Sequence, residues 1–63
     1  MAGRDEWRAH ILAAARRCFV RNGFHQTSMQ DLMREAATSS GAIYRYFDSK
    51  DAMILAIAED NLD

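Results

Sequence analysis

The chain has 63 residues, with 8 Lys+Arg against 9 Asp+Glu, a formal net charge of −1 and no proline. That length holds one domain at most and excludes a two-domain α/β nucleotide-binding enzyme or a β-sandwich of ~100 residues. Near-neutral charge argues against a uniformly basic nucleic-acid binder, but six of the eight cations lie between Arg4 and Arg34, so distribution matters more than the total.

Residues 1–4 read as a frayed arm. A first helix is expected from Asp5, a suitable N-cap, with Glu6 in the first turn where a carboxylate meets the positive end of the helix. Trp7, Ile11, Ala14, Ala15, Cys18 and Phe19 recur at helical spacing and form one apolar stripe. His10, Arg16, Arg17 and Arg21 fall on the other side, and the Arg16, Arg17, Arg21 run reads as a solvated face. Asn22-Gly23 stops the helix, since glycine accepts the left-handed conformation there.

A second helix is expected from Thr27, with Thr27 as N-cap and Gln30 completing a capping box. Leu32, Met33 and Ala36 supply its inner face, and it runs out at Ala37-Thr38. Ser39 caps a short third helix through Phe47, with Ile43 and Phe47 turned inward. Ser49 caps a fourth helix that carries Asp51 in its first turn and continues to about Asn61. In that helix Met53, Ile54, Leu55 and Ile57 point in every direction. Leu55 with Ala52 and Ala56 is expected to pack inward, leaving Ile54 and either Met53 or Ile57 with nothing in the sequence to cover them.

Chemistry other than binding has little support. The single cysteine, Cys18, forms no intrachain disulfide, which points to the reducing cytoplasm. No run approaches the ~20 apolar residues of a membrane span, and none serves as a signal peptide. His10 and His25 lack partners at metal-ligand spacing, so no metal and no cofactor is expected. No nucleophile–base pair or glycine-rich phosphate loop is readable, so the chain is not expected to be an enzyme.

Two short helices joined by ~3–4 residues make a helix-turn-helix, whose second helix suits the major groove of DNA. On the third helix Ser40, Gly41, Tyr44 and Arg45 are contiguous: small residues that allow close approach, then a phenol and a guanidinium that bind phosphate. Lys50 adds a charge beside a helix N-terminus. The expected fold is all-α: a three-helix bundle with a homeodomain-like helix-turn-helix over residues 5–48, and a fourth helix over residues 49–63.

The run Gly23-Phe24-x-x-Thr27-Ser28, then Leu32, then Ser39-x-Gly41-x-Ile43-Tyr44-x-Tyr46-Phe47-x-Ser49-Lys50 resembles the TetR family of bacterial transcriptional repressors. The upstream spacing Ile11-x-x-x-Ala15-x-x-x-Phe19-x-x-x-Gly23 is similar to that family's first helix, so the resemblance spans Asp5 to Leu55. It implies phosphate contacts from Thr27, Ser28, Tyr44, Tyr46 and Lys50, a base-edge contact from Gln30, and a recognition helix that starts at Ser39 and faces the groove with Ser40 and Gly41. The role of Tyr46 comes from the resemblance alone, because the helical wheel turns it away from Ser40 and Tyr44. It also implies an operator-reading domain of a ligand-responsive repressor. A C-terminal portion outside these residues would form a homodimer and take a small-molecule effector.

The chain departs from the family pattern in two places. Ala37 and Thr38 stand where the family usually has glycine and then an aliphatic residue, with Ala37 costing about 1 kcal/mol if its φ is positive. Met33 stands where the family often has alanine. The competing reading of the whole chain is a small helical protein–protein interaction module, suited by the overall acidity and the apolar fourth helix.

Overall fold

The computed structural model describes residues 3–61, and among these every regular element is an α-helix. α1 spans Arg4–Asn22, α2 Met29–Ala36, α3 Ser40–Tyr44 and α4 Lys50–Asn61. α1 is the spine: α2 and α4 pack on it, and α3 packs on α2. No helix among the described residues is long and apolar enough to cross a membrane.

α1 begins two residues earlier than its sequence suggests, with Gly3 and not Asp5 at the N-cap position. Gly3 precedes it without a side-chain cap, its carbonyl accepts from the Trp7 N–H at 2.9 Å, and Asp5 and Glu6 both lie inside the first turn. Of the expected arm, Gly3 and Arg4 therefore belong to the start of α1, and Met1 and Ala2 lie outside the described residues. At the other end Gly23 donates to the Phe19 carbonyl at 2.8 Å, and it takes φ 88° with ψ 152°, a positive-φ conformation open to glycine but outside the left-handed helical well that was expected.

The start of α2 corrects the expected cap. Ser28, not Thr27, is the N-cap: its hydroxyl accepts from the Asp31 N–H, and the Asp31 carboxylate accepts from the Ser28 N–H at 2.9 Å. That is a complete capping box with an aspartate in the acidic position, and Gln30 has no part in it. The Ser28 amide is the main cause that holds the Asp31 carboxyl below its ordinary pKa.

Thr27 is turned inward instead, 1% exposed, with its hydroxyl donating to the carbonyls of Gly23 and Cys18 at 2.8 and 3.2 Å. It pins the corner between α1 and α2. A β-branched hydroxyl residue suits that duty, since its methyl joins the core while its oxygen serves the backbone.

α2 ends at Ala37, the one described non-glycine residue with positive φ (φ 56°, ψ 48°). Its N–H donates to the Arg34 carbonyl at 3.3 Å, and Thr38 N–H donates to the Met33 carbonyl at 3.0 Å. These two bonds close the helix in the Schellman pattern, which favours glycine because a Cβ crowds the left-handed conformation. Ala37→Gly is therefore expected to raise stability by about 1 kcal/mol. A urea midpoint that rises at unchanged slope checks this, and a midpoint at or below that of the parent contradicts it.

α3 is shorter than expected. Ser39 caps it as anticipated, accepting from Ala42 N–H at 3.2 Å, but the α-helix ends at Tyr44 rather than Phe47. Arg45 and Tyr46 form a turn in which the N–H groups of Tyr46 and Phe47 both donate to the Ile43 carbonyl at 3.0 Å. The tightening swings Phe47 into the core and frees Ser49 to cap α4 through the Ala52 N–H at 3.3 Å.

The core joins Ile11, Ala15 and Phe19 of α1 to Leu32, Ile43 and Phe47. Leu12 joins them too, where the sequence stripe had passed it over. Trp7 leaves the stripe: it is 37% exposed and stacks on His10. α4 also turns differently from expectation. Met53, Ala56 and Ile57 are buried, while Leu55 is 63% exposed. A helix that is apolar all round has no preferred inner face of its own, so contact with α1 decides which side is covered.

The basic face of α1 is only partly solvated. Arg17 and Arg21 both reach Glu35 on α2, at 2.8 and 3.0 Å. Hydrogen bonds from Arg17 first and Arg21 second lower the Glu35 pKa. Glu35 and Asp31 thus release their protons more readily folded than unfolded. The stability they lend is full above the ordinary carboxylate range and fades as pH falls through their lowered values.

Candidate nucleic-acid interface

α3 stands between two surface hollows, and the expected site residues divide between them. The first hollow lies where the α1–α2 corner, the C-terminal end of α3 and the start of α4 meet, and its wall includes Thr27, Ser28, Tyr44, Ser49 and Lys50. The second lies between α3 and the N-terminal half of α1, with Trp7, Ser39, Gly41, Arg45 and Tyr46 around it.

In the first hollow, Tyr44 is 49% exposed and presents its phenol to solvent. The N-terminal turns of α2 and α4 both open here, capped by Ser28 and Ser49. Helix N-termini favour anions. Asp48 and Asp51 line the same hollow, so its charge is mixed rather than uniformly positive.

Lys50 is more than a surface cation. Its Nζ donates to the carbonyls of Phe24 and Thr27, each at 2.8 Å, and lies 4.7 Å from the centre of the Phe24 ring. The ammonium thereby ties the first turn of α4 to the α1–α2 corner. A lysine has three N–H donors, and this arrangement engages two of them.

Thr27 is withdrawn from the expected phosphate contacts. It borders the hollow, but its buried hydroxyl is committed to two backbone carbonyls. Ser28 remains, exposed at the mouth of the hollow. Gln30 is exposed on the first turn of α2 and lines neither hollow.

In the second hollow Gly41 is exposed, and a Cβ added to it would meet only the Ser39 Oγ, at 3.9 Å. The glycine leaves the face of α3 low without being needed by the fold. Arg45 is exposed beside it. Tyr46 is half-buried against the core and faces the opposite side of α3 from Tyr44, in keeping with the helical wheel. Ser40 is half-buried on α3 between the two. Sequence reasoning missed the contribution of α1 here, namely Trp7 at the edge of this hollow; Arg8 of the same helix sets its guanidinium 5.2 Å from the centre of the Phe47 ring.

Residues 11–57 match the model of the TetR family of bacterial regulatory proteins. Over 60 residues the chain is 42% identical to an uncharacterized helix-turn-helix-type transcriptional regulator, YfiR, of Bacillus subtilis, covering 95% of this chain and 29% of that protein. Over 50 residues it is 48% identical to the helix-turn-helix-type transcriptional regulator UidR of Escherichia coli, covering 79% of this chain and 26% of the relative. The helix-turn-helix-type transcriptional repressor Rv1474c of Mycobacterium tuberculosis is 36% identical over 56 residues, covering 89% of this chain and 30% of its own length. The chain thus spans between a quarter and a third of these relatives. No solved structure matches it.

Proposed function

Because the chain belongs to the TetR family of bacterial regulatory proteins, whose members are transcriptional regulators rather than enzymes, we propose that it reads an operator by laying α3 in the major groove of duplex DNA. The observation that carries this reading is the low, polar face of α3, with Gly41, Tyr44 and Arg45 exposed between two hollows. Small groups at the centre let the backbone approach base edges, and the hollows on either side take the phosphates that flank a groove. Ser28, Tyr44 and Lys50 serve one strand; Arg45 and Tyr46 serve the other. Ser39 and Ser40 set the start of the reading helix, and Gln30 reaches a base edge from α2.

The operator-reading domain acts in the cytoplasm as part of a ligand-responsive repressor. Its relatives include both a named repressor and a named activator, so a reporter assay with the operator decides the sign of regulation. Val20, 81% exposed, borders an apolar groove with Phe19 of α1 and Ile54 and Ile57 of α4, the surface on which a C-terminal effector-binding and dimer-forming portion would rest. A homodimer sets its two reading helices about 34–36 Å apart, one turn of DNA, or a multiple of it.

Lys50→Ala tests the phosphate side of this reading. Two of its donors hold the α1–α2 corner, and the third is left for a phosphate. The substitution is expected to weaken binding to all duplexes alike and to flatten the log–log salt slope by about 1. An unchanged slope in a folded variant removes Lys50 from the interface. The protein–protein module reading predicts no salt-dependent binding to duplex DNA in the parent chain.

A further inference from the structure

The turn of a helix-turn-helix decides where its reading helix points, and here that turn is held from outside. The Arg34 and Met33 carbonyls are taken by Ala37 and Thr38 N–H, and the carbonyl of Ala36, the last residue of α2, is met from α1. His10 of α1, 26 residues away, places Nε2 2.7 Å from it. A carbonyl oxygen only accepts, so Nε2 carries the proton. The imidazole is backed by the Trp7 indole, with ring centres 5.1 Å apart and planes 24° from parallel.

The residue that follows Ala36 is Ala37, which sits in the left-handed conformation without the freedom of glycine. A peptide unit strained on one side and tethered on the other has one preferred orientation. Released, Ala37 can relax toward the conformations its Cβ favours, and α3 swings with it, because only Ala37, Thr38 and Ser39 separate the two helices.

We propose that His10, seated on Trp7, is a positioning residue that fixes the α2–α3 turn through the Ala36 carbonyl and so sets the DNA sequence discrimination of α3. It need not touch DNA. The proposal rests on the DNA-binding reading above. Its reach is through the angle of α3, so it alters the difference between right and wrong sequences. The number of phosphates neutralised stays the same.

The test uses the full chain and three variants, His10→Ala, His10→Asn and His10→Gln. A glutamine amide reaches about as far as Nε2, whereas an asparagine amide reaches only about as far as Nδ1. Each is titrated with a duplex selected by the parent chain from a random pool and with its scrambled counterpart. His10→Ala and His10→Asn are expected to lose about tenfold in the ratio of the two affinities, the loss of one net hydrogen bond, at unchanged salt slope. His10→Gln is expected to keep the parent's ratio.

Without DNA, hydrogen exchange at the Ala37 and Thr38 amides is expected to quicken in the alanine and asparagine variants and not in the glutamine variant. An unchanged ratio in the first two, a glutamine variant that falls with them, or equal weakening on both duplexes overturns the proposal. If His10→Ala does not fold, the comparison of His10→Asn with His10→Gln carries the test, since only the asparagine variant loses the reach to the Ala36 carbonyl. A parent chain that prefers no duplex overturns the DNA-binding reading itself, while the exchange measurement still judges the tether.

Discussion

Phe19→Ala is expected to cost the domain about 3 kcal/mol, a third or more of its stability. The ring is buried on α1, meets Phe24 with centres 5.1 Å apart, and shares one groove with Ile54 and Ile57 of α4. Deleting a buried phenyl ring costs about 3–5 kcal/mol, because the lost transfer energy is joined by the cavity left behind. A domain of this size has on the order of 3–9 kcal/mol in total. The groove opens to solvent along Val20 and Arg16, so collapse can recover part of the loss and place the effect at the lower end of that range. A circular dichroism melt reads the outcome, and a variant that melts with the parent shows that Phe19 does not hold the core.

Gly41→Val is expected to abolish sequence preference while leaving the helices intact. The ideal Cβ position at Gly41 is open apart from the Ser39 Oγ at 3.9 Å, and valine costs an exposed helix little more than a few tenths of a kcal/mol beyond alanine. The fold therefore accepts the change. The isopropyl group, however, stands on the face that must approach the base edges. Preference for a selected duplex is expected to drop to the non-specific level, a loss on the order of 10³-fold or more. Unaltered helix content with retained preference removes Gly41 from the groove-facing surface.

Where the chain signals its structure locally, the sequence suffices. Ser39 and Ser49 each cap the helix that follows them, Gly23 ends α1 at positive φ, and Ile43 and Phe47 turn inward. The same local logic misplaces the cap of α2, because Thr27 and Ser28 are adjacent hydroxyl residues and either could start the helix. Only the packing of the α1–α2 corner decides that Thr27 goes inside. The capping box also uses Asp31, one methylene shorter than the glutamate or glutamine that the pattern leads one to seek.

Cross-helix relations are invisible to a wheel drawn for one helix. His10 reaches Ala36, Arg17 and Arg21 reach Glu35, and Lys50 reaches Phe24 and Thr27, each across a long stretch of sequence. The arginines read as a solvated face and Lys50 as a phosphate-directed charge until the helices are set against one another. The orientation of α4 is hidden for a different reason: with Met53, Ile54, Leu55 and Ile57 all apolar, no periodicity distinguishes its faces. Burial of Met53 and exposure of Leu55 follow from contact with α1.

The central claim is that α3 and its two flanking hollows read duplex DNA. Selection from a random duplex pool at low salt, followed by titration of the enriched sequence at increasing salt, tests it most directly. The claim predicts convergence on a sequence and a negative log–log slope of several units, about one per phosphate neutralised. A pool that stays random after selection, with a slope near zero, contradicts it and leaves the helical bundle as a surface for protein partners.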